Sequence, residues 1–204
     1  MPKEKKRWER RKHPIYCLII EGLSDFKRLK YVILELERLD NPPLIINLRY
    51  HIDKDMENYL GKKWTEQKAS NYHSAMETTQ LGSDIKKLMD KFTYILQDSK
   101  PKKVVVQGDG DSAMACALVA KHMGVKVAHI DAGKREVLNY EGILIDSVST
   151  WLFVSNEEQK RHLMNEGISE SKIHVIGDYT AALEAERCKK VVKILEKKFW
   201  EFWK

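Results

Sequence analysis

Three turns carry residues suited to ligand chemistry: Gln107-Gly108-Asp109-Gly110-Asp111, Asp131-Ala132-Gly133-Lys134-Arg135 and Gly177-Asp178. Each follows a short apolar run. An acidic residue beside glycine at a strand's carboxyl end sits where open α/β sheets bind ligands. Three such turns in register imply one shared crevice. Gly108 and Gly110 would let a phosphate approach the N-terminus of the helix that follows. The plainer reading of Asp109 and Asp111 is helix capping, since carboxylates before a helix are stabilising without any function. Asp111 reads as a cap, and Asp109 is balanced between the two. The 7 histidines and 3 cysteines show no metal-ligand spacing, so no metal is expected. No G-x-S-x-G elbow supports a serine nucleophile, and no cofactor is implied.

The elements that must hold these turns alternate. Ile15–Ile20 is a continuous apolar run, the mark of a strand buried on both faces. A helix follows to about Leu39, with Phe26, Leu29, Ile33 and Leu36 on its apolar stripe. Leu44–Leu48 reads as a second strand. Residues 49–80 are polar without a clean period and read as helix and loop. A helix from Ser83 precedes the strand Val104–Val106, and Ser112–Met123 is helical, with Gly124 placed to end it. Val125–Ile130 is a strand. Glu136–Ser149 reads as a helix burying Ile143, Ile145 and Val148. Trp151–Val154 is a strand, and Ser155-Asn156-Glu157-Glu158 opens a helix that closes at Gly167. Ile173–Ile176 is the last strand. The pattern predicts a single doubly wound Rossmann-like α/β domain with a parallel sheet of about six strands. Its expected bounds are 14–184, after a basic segment 1–13 and before an amphipathic helix 185–204.

A chain of 204 residues suits one sizeable core. The net charge of +6 gathers at the two ends. Solvated ends are the favoured reading, over a nucleic acid or a membrane surface. Cys17, Cys116 and Cys188 are dispersed and odd in number, which fits reduced thiols in a cytoplasmic protein. The last helix carries Phe199, Trp200, Phe202 and Trp203 among lysines. Packing on the domain or on a second copy is favoured over a membrane-surface anchor.

From Leu81 to Leu183 the chain resembles the N-terminal Rossmann-like domain of non-hydrolysing UDP-N-acetylglucosamine 2-epimerases, which have two such domains in the GT-B arrangement. The family's K-P-D, apolar strand and H-G-D-T correspond to Lys100-Pro101-Lys102, Val104-Val105-Val106 and Gln107-Gly108-Asp109-Gly110. Its V-E-A-G-L-R corresponds to Ile130-Asp131-Ala132-Gly133-Lys134-Arg135, and its F-V-T-G-N-T to His174-Val175-Ile176-Gly177-Asp178-Tyr179. Its early T-x-Q-H appears as Leu48-Arg49-Tyr50-His51. Two motifs depart. G-T-R-P-E reads Gly22-Leu23-Ser24-Asp25-Phe26, keeping only the glycine, and P-E-E-x-N-R finds no clear match near Val137–Gly142. The family's C-terminal domain has no counterpart in these residues.

The resemblance implies a nucleotide-sugar protein, one GT-B half, inactive or weakly active alone. The family's reaction removes the C2 proton and expels UDP, then restores both with only C2 inverted. It needs positioned carboxylates and cations. By resemblance Asp109 and Asp131 are the catalytic candidates. Gly22, His51, Gly108, Gly110, Arg135 and Gly177 are the substrate-binding candidates, Arg135 as a guanidinium for the diphosphate. A UDP-sugar is the implied ligand. A homodimer and a separately encoded C-terminal half are the implied partners. The alternative is a non-catalytic binding or scaffold protein that kept the fold and lost the chemistry.

Overall fold

The computed structural model describes residues 14–21, 23–39, 41, 43–48, 72–74, 85–135, 140–177 and 184–200. Its strands are β1 (Tyr16–Ile20), β2 (Leu44–Asn47), β3 (Tyr72–Ser74), β4 (Lys103–Gln107), β5 (Lys126–Ile130), β6 (Trp151–Val154) and β7 (Ile173–Val175). Its helices are α1 (Leu23–Arg38), α2 (Ile85–Ser99), α3 (Asp111–His122), α4 (Tyr140–Val148), α5 (Glu157–Asn165) and α6 (Glu184–Trp200). A 3-10 turn spans Glu170–Lys172.

All strand pairs are parallel, in the order β3-β2-β1-β4-β5-β6-β7. The two most continuously apolar runs, β1 and β4, lie at the centre. Their side chains alternate between two helix layers because successive residues point to opposite faces. Leu18 and Ile20 pack with Phe26, Leu29 and Ile33 of α1 and Val191 and Leu195 of α6. Cys17 and Ile19 pack with Leu88 and Phe92 of α2 and Ala117 of α3. That double burial is why β1 shows no polar alternation.

Local chemistry sets the boundaries. At the end of α3, Gly124 takes φ +75° and the Val125 N–H donates to the Ala120 carbonyl at 2.9 Å. That bond satisfies a terminal carbonyl and turns the chain into β5. Asn156 caps α5 by accepting from the Gln159 N–H at 3.0 Å, and the Gln159 side chain accepts from the Ser155 N–H at 2.7 Å. The cap thus falls one residue later than the Ser155–Glu158 box read from the sequence, with Asn156 as the cap and Gln159 reaching back.

Three features differ from the sequence reading. A seventh strand, β3, lies within the polar stretch read as helix and loop. On α4, Ile145 is buried and Ile143 is 40% exposed. Asp146, beside Ile145, is buried on the same helix. Asp111 stands in the first turn of α3, and the cap position belongs to Gly110.

Candidate functional site

The chain winds outward from β1 in one direction and from β4 in the other, so the switch point lies between these two strands. Glu21 follows β1 there. Its carboxylate accepts from the Ala113 N–H at 2.6 Å, so it occupies the N-terminus of α3. A Cβ at Gly110 would lie 2.7 Å from the Glu21 carboxylate, which would have to shift to make room. The place where Gly108 and Gly110 were expected to admit a phosphate is thus filled by the protein's own anion. Gly108 holds φ +76°, and Asp109 is exposed on the same turn.

Asp131 is the focus of the crevice. It holds φ +68°, in the left-handed region that side-chain-bearing residues rarely adopt. Its carboxylate is fully buried. Oδ2 accepts from Arg28 Nη1 at 3.2 Å and Gln107 Nε2 at 3.4 Å, and Lys134 Nζ lies 3.8 Å away. Arg187 Nη2 lies 4.0 Å from Oδ1. Arg28 comes from α1, Lys134 from the turn itself and Arg187 from α6. The sequence reading missed both arginines. The signal for Arg187 was its place on the buried stripe of α6, one turn before Val191. A charge there demands a partner.

Arg135 is engaged elsewhere. Its Nε and Nη2 donate to the two Glu166 oxygens at 2.6 and 2.5 Å, and Nη2 lies 2.9 Å from Asp146 Oδ2. The hydrogen bond to Glu166, assisted by Asp146, pushes its pKa above the ordinary arginine value. It clamps the turn after β5 to the end of α5. Gly133, at φ +75°, serves the same contact, since a Cβ there would lie 2.6 Å from the Gln159 carbonyl oxygen. Gly177, at φ +96°, follows β7 beyond Ile176, which lines one small cavity together with Arg28, Ile130 and Arg187. Gly22 and His51 lie outside the described residues. The three cysteines are buried and in no disulfide, and burial pushes the Cys17 and Cys116 thiols up. Among the described residues no group of His, Cys, Asp and Glu is placed to hold a metal ion, and no helix is long and apolar enough to cross a membrane.

A doubly wound parallel sheet with its crevice at the strand ends defines a Rossmann-like half of the GT-B arrangement. The family model for UDP-N-acetylglucosamine 2-epimerase matches residues 39–201. The UDP-N-acetylglucosamine 2-epimerase of Methanocaldococcus jannaschii is 31% identical over 168 residues, 79% of this chain and 45% of that protein. A homolog of that enzyme from Methanococcus maripaludis is 31% identical over 189 residues, 88% of this chain and 50% of that protein. The solved Methanocaldococcus jannaschii enzyme in complex with UDP-GlcNAc and UDP superimposes with a TM-score of 0.68 at 28% identity. That match covers 80% of this chain and 46% of that one. The chain belongs to the UDP-N-acetylglucosamine 2-epimerase family and spans about half the length of the curated relatives it matches.

Proposed function

We propose that the chain binds a UDP-sugar at the carboxyl edge of its sheet, as one half of an epimerase-like site, with little or no epimerisation alone. The observation that carries this is the carboxylate of Asp131, set at the carboxyl end of β5, one strand from the switch point, among Arg28, Lys134 and Arg187. In this reading the half-exposed cations Arg28 and Lys134 meet the diphosphate. Asp131 and Asp109 face the sugar and exchange the C2 proton. Arg135 holds the turn, and its contacts leave the diphosphate to the other cations. A second Rossmann-like half would close over the sugar and exclude water. We place the protein in the cytoplasm on its buried thiols, which are in no disulfide, and we read it as a homodimer.

A binding or scaffold role without chemistry is the second reading. It is favoured by the Asp131 side chain being wholly buried, so that it must move to touch a substrate.

One experiment separates these. UDP-N-acetylglucosamine or UDP at a hundred times Kd should add about 2.7 kcal/mol, roughly 5–10 °C in Tm. Sedimentation of the same sample reports the oligomer. No shift with either ligand removes the nucleotide-sugar reading. Epimerisation by the purified chain, lost in Asp109→Asn, removes the scaffold reading and makes the chain an enzyme by itself.

A further inference from the structure

We infer that His129 and Asp146 are positioning residues: a buried hydrogen-bonded bridge that holds the turns bearing Asp109 and Asp131 at one fixed separation. This rests on the proposed site but concerns residues that contact none of its ligand-facing groups. His129 is near the end of β5 and only 1% exposed. Its Nε2 lies 2.8 Å from the Gly108 carbonyl oxygen, and its Nδ1 lies 2.7 Å from Asp146 Oδ1. The other Asp146 oxygen accepts from the Gly133 N–H at 3.1 Å and lies 2.9 Å from Arg135 Nη2. One chain of contacts therefore runs from Gly108, beside Asp109, to Gly133, two residues after Asp131.

The chemistry of the bridge is directional. Both atoms facing the ring are acceptors, a carbonyl and a carboxylate that already takes two donors. Nε2–H donates to the Gly108 carbonyl, and one proton lies between Nδ1 and Asp146 Oδ1. Packing does not ask for this pair. Ala128 and Ile130 flank His129 on β5, and an aliphatic side chain would suit a strand buried on both faces. Buried ion pairs seldom add stability over apolar replacements, and their best-attested use is to fix geometry. The geometry fixed here is unusual, since Gly108 and Asp131 both hold positive φ on adjacent strand ends. A shift of either turn would break the bridge.

The test uses the full chain and three variants. His129→Leu and Asp146→Leu remove the bridge. Amide exchange at Gly133 in the ligand-free protein should quicken about tenfold, and UDP-N-acetylglucosamine should bind about tenfold more weakly. Asp146→Asn should restore both to within about threefold, because its amide can donate to a neutral ring while its oxygen still accepts from Gly133. Unchanged exchange in the leucine variants overturns the proposal, as does an asparagine variant as impaired as Asp146→Leu. If the leucine variants do not fold, Asp146→Asn decides against the wild type, and exchange at Gly133 more than about threefold faster in it overturns the proposal. Should the wild type bind no UDP-sugar, the function above falls, while ligand-free exchange at Gly133 still judges the bridge.

Discussion

Asp131 combines a left-handed backbone with a buried carboxylate, and the two can be separated by substitution. Asparagine tolerates positive φ better than other side-chain-bearing residues and matches aspartate in shape. Asp131→Asn therefore removes charge alone. It leaves Arg187, whose side chain is 5% exposed, beside a neutral partner. Breaking a buried pair costs about 3–5 kcal/mol. Arg28 and Lys134 are 39% and 34% exposed and can turn to water, which places the expected loss near the lower bound, about 3 kcal/mol. Asp131→Ala should lose about 1–2 kcal/mol more, since alanine resists the backbone conformation. Urea unfolding of the two variants measures both effects. Equal stability of Asn and Ala would show that the positive φ stores no strain, and an unaltered Asp131→Asn would deny the ion pairs any weight.

At the scale of elements, the amino edge of the sheet is as ordered as the carboxyl edge. Lys103 opens β4 and is 3% exposed. Its ammonium donates to the Tyr16 hydroxyl at 3.1 Å and to the Leu195 carbonyl, and lies 4.8 Å from the Tyr16 ring and 5.6 Å from the Trp151 ring. The Tyr16 hydroxyl donates to Glu196 at 2.6 Å. Strands β1, β4 and β6 are thus joined to α6. Burial pushes Lys103 down to about 8 from its ordinary 10.5. Between those values the unfolded chain holds a proton that the native one has released, so stability rises with pH there. Tyr16 acts oppositely above its ordinary 10, because burial and the bond to Glu196 push it up and the native state keeps the proton longer. Stability should therefore climb by about 1–3 kcal/mol from pH 8 to 10 and then level or fall. Lys103→Met should flatten the climb in urea titrations across that range. A climb that persists in Lys103→Met would assign it to another group. This edge also shows what a sequence discloses. Apolar runs and Gly124 or Gly167 placed the strands and helix ends, because those signals are local. The three-residue β3 carries too short a run to register. Arg28 meets Asp131 across 103 residues, and His129 meets Asp146 from a different element, so neither pairing leaves a local period to read. Arg135 was legible as a cation by type, but its partner Glu166 lies 31 residues on, and only the fold brings them together.

At the scale of the molecule, α6 returns from the far edge of the sheet to pack on α1, and it serves both edges at once. Cys188, Val191, Val192 and Leu195 enter the layer that covers β1. Toward the carboxyl edge Arg187 reaches Asp131, and toward the amino edge the Leu195 carbonyl receives Lys103. Four buried side chains at about 1.5–3 kcal/mol each approach the whole stability of an ordinary domain, about 5–15 kcal/mol. α6 is therefore part of the folding unit, and its loss cannot be local. Leu195→Ala, at a fully buried position, should cost about 2–5 kcal/mol and lower the single thermal transition without splitting it. A chain ending at Gly177 should show no cooperative transition and no response to UDP, because it lacks both that apolar area and Arg187. If the shortened chain instead melts cooperatively with β1 amides still protected, the core closes without α6. The arginine beside Asp131 would then belong to an appendage, and binding by Arg187→Met at wild-type strength would complete that case.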